Sequence, residues 1–139
     1  MEERAYSFTT LNTYTEAKGL VKLVYAVINT LPQTERYALA DQLRRSVISV
    51  PSNVVEGMNR MSDKEKSHFL EIAYASLMEV YCQIDIATDL GYVDVEKKNE
   101  VMKQINIVAK LISGLRRSTL NKNTKPTPNP KPPTLNPKP

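Results

Sequence analysis

The sequence predicts an all-α protein: an antiparallel up-down four-helix bundle with a kinked second helix and an extended Pro-rich C-terminal tail. In four successive segments apolar residues recur every three or four positions, and no segment alternates as a strand would. Short connections between long helices favour antiparallel neighbours. A chain of 139 residues with 41% hydrophobic side chains can form one compact core but not two ordinary domains. We therefore expect a bundle over residues 1–120 and a tail over residues 121–139.

The first helix is predicted from an apolar stripe that ends before Pro32. The stripe consists of Ala17, Leu20, Val21, Val24, Val27, Ile28 and Leu31, and it is extended towards the N-terminus by Phe8, Leu11 and Tyr14.

The second helix is predicted to start at a Thr34 cap. Its apolar positions are Leu39, Leu43, Val47, Val50 and Val54. Pro51 falls among them, and we expect it to bend the helix because proline lacks an amide hydrogen and its ring clashes with the preceding turn. Gly57 is grouped with Pro51 and Gly91 as the positions where helices bend or turn.

The third and fourth helices have the clearest end signals. The stretch "SDKE", Ser62 to Glu65, fits a capping box, in which the Ser62 hydroxyl accepts from the Glu65 amide and the Glu65 carboxylate accepts from the Ser62 amide. Gly91 is suited to the left-handed conformation that ends a helix, with Leu90 and Tyr92 packing around the turn, and Asp94 is the expected cap of the fourth helix. The predicted core positions are Phe69, Ala73, Leu77, Val80, Ile84 and Ala87, followed by Val101, Ile105, Val108, Ile112 and Leu115.

The tail differs from the rest of the chain, because seven of the nine prolines lie beyond residue 125. It repeats seven residues, "PTPNPKP" at 126–132 and "PTLNPKP" at 133–139. Proline rings and missing amide donors exclude a helix, so we expect an extended polyproline-like arm. A proline-rich ligand for a partner is one interpretation, and a duplicated linker is the favoured one.

The formal charge of +4 conceals an asymmetry. Residues 1–100 carry 11 basic and 15 acidic side chains, whereas residues 101–139 carry eight basic and no acidic ones. Such a basic end suits RNA, DNA or another polyanion, because lysine and arginine neutralise phosphate and release its counterions. A basic tail with no dedicated partner is an equally good interpretation of the charge alone.

Composition argues against a membrane span and against secretion. No stretch approaches 18 consecutive apolar residues. The start, "MEERAYSFTT", lacks the basic and then apolar run of a signal peptide, and the single Cys82 cannot form an internal disulfide. We expect a cytoplasmic protein without membrane contact.

Groups for catalysis are scarce. The chain has one histidine, one cysteine and no glycine-rich phosphate loop. His68 and Cys82 are 14 residues apart on one predicted helix, hence about 21 Å apart along its axis, which is too far for a catalytic dyad. Neither has partners at metal-ligand spacing. We expect no enzymatic activity, no cofactor, no metal and no small-molecule substrate.

A line of polar residues borders the buried face of the second helix, and a shorter line follows the third. The lines are Gln42, Arg45, Ser49, Asn53, Glu56 and Arg60, and Ser76, Glu79 and Gln83. Our hypothesis is that they face each other at a partly dry seam, where Arg45 or Arg60 pairs with Glu79 or Glu56. Asn53 would then bond a carbonyl that Pro51 leaves without a donor. An ordinary amphipathic boundary is the alternative.

Four stretches carry a family resemblance: "FTTLNTYTEAKGLV", "LPQTERYALADQLRRSVISVPSNVVEG", "SDKEKSHFLEIAYASLMEV" and "ATDLGYVD". In order and spacing they resemble the bacterial four-helix-bundle proteins first noted in intervening sequences of large-subunit ribosomal RNA genes. The resemblance covers about residues 8–118, with Tyr14 where the family usually has tryptophan. It implies a homopentamer of bundles arranged as a barrel. The same fold includes the accessory variability protein (Avd) of diversity-generating retroelements, which binds a reverse transcriptase and nucleic acid.

Two classes of function follow from these features. The first is a non-enzymatic, oligomeric nucleic-acid-binding accessory protein, most concretely an Avd-like partner of a retroelement reverse transcriptase in mutagenic retrohoming. The second is a protein-interaction scaffold encoded by a ribosomal RNA intervening sequence, whose polar seam mediates only assembly. The candidate nucleic-acid-binding residues are Arg44, Arg45, Arg60, Lys103, Lys110, Arg116 and Arg117, of which the first three have structural salt bridges as an equally good interpretation.

Overall fold

The computed structural model describes residues 8–121, which form four long helices and no strand. The helices are α1 (Phe8–Ile28), α2 (Leu39–Met58), α3 (Asp63–Asp89) and α4 (Val95–Asn121), with a short 3-10 helix at Gln33–Glu35. The predicted all-α class is confirmed. The proline-rich tail and its repeat lie outside the described residues.

The helices pack in a ring, each against its neighbours in the chain, and α4 closes the ring against α1. The most extensive contact is between α2 and α3. At the closing contact, the Gln104 side chain donates to the backbone carbonyl and to the carboxylate of Glu16, both at 2.9 Å. The arrangement is the up-down-up-down bundle that the short connections predicted.

The core consists of the predicted apolar stripes. Leu20, Leu43, Leu77, Ile84 and Ile112 are fully enclosed, and each such side chain stabilises the fold by about 1.5–3 kcal/mol through its burial. Leu11 departs from the prediction.

Leu11 is 49% exposed, and the buried positions at this end of α1 belong to Thr10 and Thr13. Their hydroxyls are satisfied inside the bundle, because Thr13 donates to the Thr9 carbonyl at 2.8 Å and Thr10 donates to the Met58 sulfur at 3.6 Å. Periodicity of apolar residues missed this because a threonine whose hydroxyl is bonded locally can occupy a core position.

Three of the predicted helix ends are confirmed. The Ser62 hydroxyl accepts from the Glu65 amide at 3.1 Å, and an Asp94 carboxylate oxygen accepts from the Lys97 amide at 2.7 Å. At the end of α3, Gly91 has φ of 81°, and the amides of Gly91 and Tyr92 bond the carbonyls of Thr88 and Ala87. This is a Schellman motif, which requires a left-handed residue after the helix. Leu90, however, is exposed beside the turn rather than packed against it.

The predicted Thr34 cap is wrong. Thr34 lies inside the 3-10 helix, and α2 begins only at Leu39 without a side-chain cap from Ala38. Glu35 takes the expected role instead, because one of its carboxylate oxygens accepts from the Leu39 amide at 3.4 Å. Its other oxygen accepts from the Tyr92 hydroxyl at 3.1 Å, which ties this connection to the α3–α4 turn.

Pro51 and Gly57 lie within α2. Pro51 is buried, and the helix continues through it from Leu39 to Met58, so the expected bend stays a prediction. The assignment of Gly57 to a turn is wrong. A Cβ atom at this position would lie 3.0 Å from the Phe69 Cβ and 3.1 Å from the Lys66 carbonyl oxygen. Gly57 is therefore required by the close approach of α2 and α3.

Candidate nucleic-acid interface and the polar seam

The two predicted polar lines do meet, along the outer edge of the α2–α3 contact. The hydroxyls of Ser49 and Ser76 lie 2.7 Å apart, and Ser46 donates to a Glu79 carboxylate oxygen at 3.1 Å. The Asn53 amide donates to the backbone carbonyl and to the hydroxyl of Ser49, at 2.8 and 2.9 Å. We call Ser46, Ser49, Asn53, Ser76 and Glu79 the polar seam, since each of these side chains is bonded within it.

Two details of the predicted seam are wrong. Asn53 bonds the carbonyl of Ser49, whereas the carbonyl that Pro51 would leave free in a regular helix is four residues before it, that of Val47. Gln42 is exposed and makes no hydrogen bond within residues 8–121. The Gln83 side-chain oxygen is buried without a hydrogen-bond partner in the same range.

The arginines of the predicted lines pair within their own helix. Arg60 is paired with Glu56 one turn earlier, as one version of the hypothesis expected, but no arginine reaches Glu79 across the seam among the described residues. The Arg60 guanidinium also lies 4.5 Å from the centre of the Phe69 ring. A cation held by a carboxylate and by an aromatic face is engaged in the fold, so Arg60 has a structural role at the α2–α3 turn.

Three other candidate nucleic-acid-binding residues also have partners. Arg44 and Arg45 both pair with Asp41, at 3.6 and 3.2 Å. Arg116 crosses to α3, where its Nε donates to the Ser67 hydroxyl at 3.2 Å and its terminal nitrogen lies 3.5 Å from a Glu71 oxygen. Arg116 therefore joins α4 to α3.

Lys103, Lys110 and Arg117 differ from these four, and we call them the cationic stripe. They follow each other at seven-residue intervals, which places them on one face of α4, about 10 Å apart along its axis. All three are exposed. No acidic residue occurs between Val101 and Asn121, and no residue of the described chain forms an ion pair with any of the three. Their charge is available to an external anion.

Two polar pairs at the opposite end of the bundle shift proton affinities. The hydrogen bond from Lys98 to Asp85, at 2.8 Å, raises the pKa of the Lys98 ammonium. The hydrogen bond from Tyr92 to Glu35 raises the pKa of the Tyr92 phenol. In both cases the protonated form is the one that makes the bond.

His68 and Cys82 are both exposed on α3. Within residues 8–121, no three residues among the histidine, cysteine, aspartate and glutamate side chains are grouped so as to hold a metal ion. None of the described helices is both long and apolar enough to cross a bilayer.

With this geometry in place, comparison with known families is informative. A family profile described as 23S rRNA-intervening sequence protein matches residues 9–114. The chain belongs to this family. The match covers the bundle from the first turn of α1 to the second half of α4, which confirms the resemblance carried by the four quoted stretches.

A solved structure supports the fold of this family member. It comes from Bacteroides thetaiotaomicron VPI-5482 and is described as a protein with unknown function from the S23 ribosomal protein family. The similarity has a TM-score of 0.73 with 14% identity, over 79% of this chain and 99% of that chain. At this identity the likeness shows the fold alone. No curated protein matches the chain.

Sequence reasoning missed three residues that matter in this intervening sequence protein. Asp41 is three and four residues before Arg44 and Arg45, a spacing at which ion pairs form on a helix, so this pairing was available from the sequence. Ser46 and the exposed Tyr81 were not available in this way. Their positions depend on which face of each helix meets its neighbour.

Proposed function

We propose that this family member is a non-enzymatic, oligomeric nucleic-acid-binding accessory protein, and that the cationic stripe is its contact with the phosphate backbone. The observation that carries the proposal is the difference in pairing. Arg44, Arg45, Arg60 and Arg116 are engaged by carboxylates, whereas Lys103, Lys110 and Arg117 are not. Unpaired cations in a row suit a polyanion, because each phosphate contact releases a counterion.

The Avd-like role is the most concrete form of this proposal. A partner of a retroelement reverse transcriptase would hold nucleic acid near that enzyme without performing chemistry itself. If five copies assemble, as the family resemblance implies, the three cations of each chain multiply, and avidity increases without any new contact.

Salt dependence tests the nucleic-acid contact directly. The experiment is fluorescence anisotropy with a labelled RNA between 50 and 200 mM salt. Three phosphate contacts predict a slope of about −2 in log K against log salt for a single strand and about −3 for a duplex, multiplied by the number of chains engaged. Replacing Lys103, Lys110 and Arg117 with glutamine should flatten this slope.

A charge-matched control separates the stripe from general charge. Lys18, Lys22 and Lys64 are also exposed, on α1 and at the start of α3. Their triple glutamine variant lowers the net charge equally but leaves the stripe intact, so it should keep most of the affinity. Equal losses in the two triple variants, or no binding by the wild-type protein at 50 mM salt, would contradict the proposal.

A scaffold without nucleic acid is the second candidate, and a specific observation favours it. Ile48 and Val55 are 42% and 39% exposed on α2, seven residues apart and thus on one face. Exposed aliphatic side chains in a row suit a protein partner or a second copy. Light scattering and the RNA titration separate the two: an oligomer that binds no RNA supports the scaffold.

Genomic position sharpens the choice of partner. A neighbouring reverse-transcriptase gene with paired template and variable repeats would support the Avd-like role. A location inside a ribosomal RNA gene would favour the scaffold.

A further inference from the structure

The contact between α3 and α4 has a constant register. Lys98 lies opposite Asp85, and 18 residues later on α4 Arg116 lies opposite Ser67, which is 18 residues earlier on α3. Two antiparallel helices with matching steps keep the same pairing between these points. Seven residues from the Ser67 end, Tyr74 therefore lies level with Ala109, and at 14 residues Tyr81 lies level with Met102.

The two tyrosines are thus placed beside the cationic stripe. Lys110 directly follows Ala109, and Lys103 directly follows Met102, each turned further towards the outside of α4. Ala109, Met102 and Tyr74 are partly buried against the core, whereas Tyr81 is 47% exposed. Packed helix axes lie about 8–10 Å apart. Tyrosine and lysine therefore alternate along one face, as Tyr81 with Lys103 and Tyr74 with Lys110, and Arg117 follows at the end.

The acidic residues that flank the tyrosines are neutralised. Asp85 accepts a hydrogen bond from Lys98, and Glu71 pairs with Arg116. Tyr81 is also close enough to Lys98 to affect the proton affinity of that ammonium. The charges left on this face without an opposite partner are the three cations of the stripe.

We infer that the α3–α4 face binds a single-stranded nucleic acid, with phosphates on Lys103, Lys110 and Arg117 and unpaired bases against the rings of Tyr81 and Tyr74. This inference rests on the proposed function and adds the kind of strand that is bound. Aromatic side chains next to a cationic track are the combination that single strands use, because a duplex hides the faces of its bases. The stripe is about 21 Å long, which about six nucleotides span at 3.4 Å each.

The test compares strands of the same sequence at fixed salt. Anisotropy is measured for 12-nucleotide single strands and for the corresponding 12-base-pair duplexes, each as RNA and as DNA. Because stacking uses base faces that RNA and DNA share, the wild-type protein should prefer the single strand with both sugars. A preference confined to one sugar, or a preference for the duplex, overturns the inference.

Variants of Tyr81 identify the ring as the cause. Tyr81→Ala should weaken single-strand binding roughly 5- to 150-fold, as loss of one stacked base does, and should leave duplex binding unchanged. Tyr81→Phe keeps the ring and should bind as the wild type does. Tyr81→Leu keeps apolar bulk without the ring and should behave as the alanine variant does. Circular dichroism and thermal unfolding confirm that each variant is folded.

Tyr37 provides the matched control. It is 84% exposed in the connection before α2, outside the α3–α4 face. Tyr37→Ala should leave both affinities unchanged, and an effect equal to that of Tyr81→Ala would overturn the inference.

The two proposals fail in different ways. If the wild-type protein binds neither strand, the proposed function fails. If it binds single strand and duplex equally through the cationic stripe, only the inference about single strands fails.

Discussion

The polar seam and the cationic stripe are both rows of polar side chains at helical spacing, but they differ in what their polar atoms contact. In the seam, Ser49 and Ser76 bond each other and Ser46 bonds Glu79. On the stripe, Lys103 and Lys110 have no ion-pair partner in the described part of the chain. Spacing on a helix is therefore a poor guide to function by itself. The presence or absence of a partner separates a side chain that holds the fold from one that is available for binding.

The largest expected difference between the two regions is at their glycines. Gly57→Ala should lower the free energy of unfolding by about 1–3 kcal/mol, because the added methyl meets the Phe69 Cβ at 3.0 Å and the rigid Lys66 carbonyl at 3.1 Å. Gly114→Ala on α4 meets nothing within 4 Å. It should stabilise the protein by up to about 1 kcal/mol through helix propensity.

Urea unfolding followed by circular dichroism measures both glycine variants. A stabilised Gly57→Ala protein would show that α2 and α3 do not approach closely.

A smaller effect is expected from the hydroxyl pair of the seam. Ser49→Ala removes the partner of the nearly buried Ser76 and one of the two acceptors of Asn53. We expect a loss of about 1–2 kcal/mol, since a buried hydroxyl left without a partner is costly. The double variant with Ser76→Ala should cost less than the sum of the single variants. Strict additivity in this double-mutant cycle would mean that the two hydroxyls do not interact.

Arg60 and Lys110 should separate stability from binding. Arg60→Gln loses an exposed ion pair and a cation–π contact, together worth about 1 kcal/mol. Lys110→Gln should change stability by less than about 0.5 kcal/mol, because the side chain is exposed and has no ion pair within residues 8–121. In RNA titrations the order should reverse, with Lys110→Gln reducing the salt slope by about 0.7 per chain.

The outcome that would oppose this division is a large loss of stability in Lys110→Gln with no change in RNA binding.

The smallest effect is a loss of stability at alkaline pH. The pKa values of Tyr92 and Lys98 are raised in the folded chain by their hydrogen bonds to Glu35 and Asp85. A raised pKa means that the stabilisation is fully present below the pKa of the unfolded chain and is lost as pH rises through the folded value. Urea midpoints of the wild type should therefore fall above about pH 10. Tyr92→Phe should show a shallower fall between pH 9 and pH 11.

The features that the sequence predicted correctly are local ones. The buried stripe of α4 and the caps at Ser62, Gly91 and Asp94 each depend on residues within a few positions of one another. Thr34 failed for a reason that lies 57 residues away, because the Glu35 carboxylate that takes over at the start of α2 also binds Tyr92. Such a contact leaves no local signal.

The candidate site shows the same limit. Seven-residue spacing placed Lys103, Lys110 and Arg117 on one face correctly, but only the register of α3 against α4 reveals that Arg116 is bound to Ser67 and Glu71. Gly57 is a further case. Its role depends on the backbone of Lys66, which belongs to the next helix.

The closing contact of the ring has a consequence for how quickly the chain folds. Glu16 and Gln104 are 88 residues apart, whereas Ser49 and Ser76 are 27 apart. Loop-closure entropy makes the longer closure more costly by about 1 kcal/mol. Every other packed pair of helices is adjacent in the chain, and such low contact order is typical of proteins that fold in microseconds to milliseconds. During synthesis, α2 and α3 can pair as soon as both have left the ribosome, whereas the ring closes only after α4 has emerged.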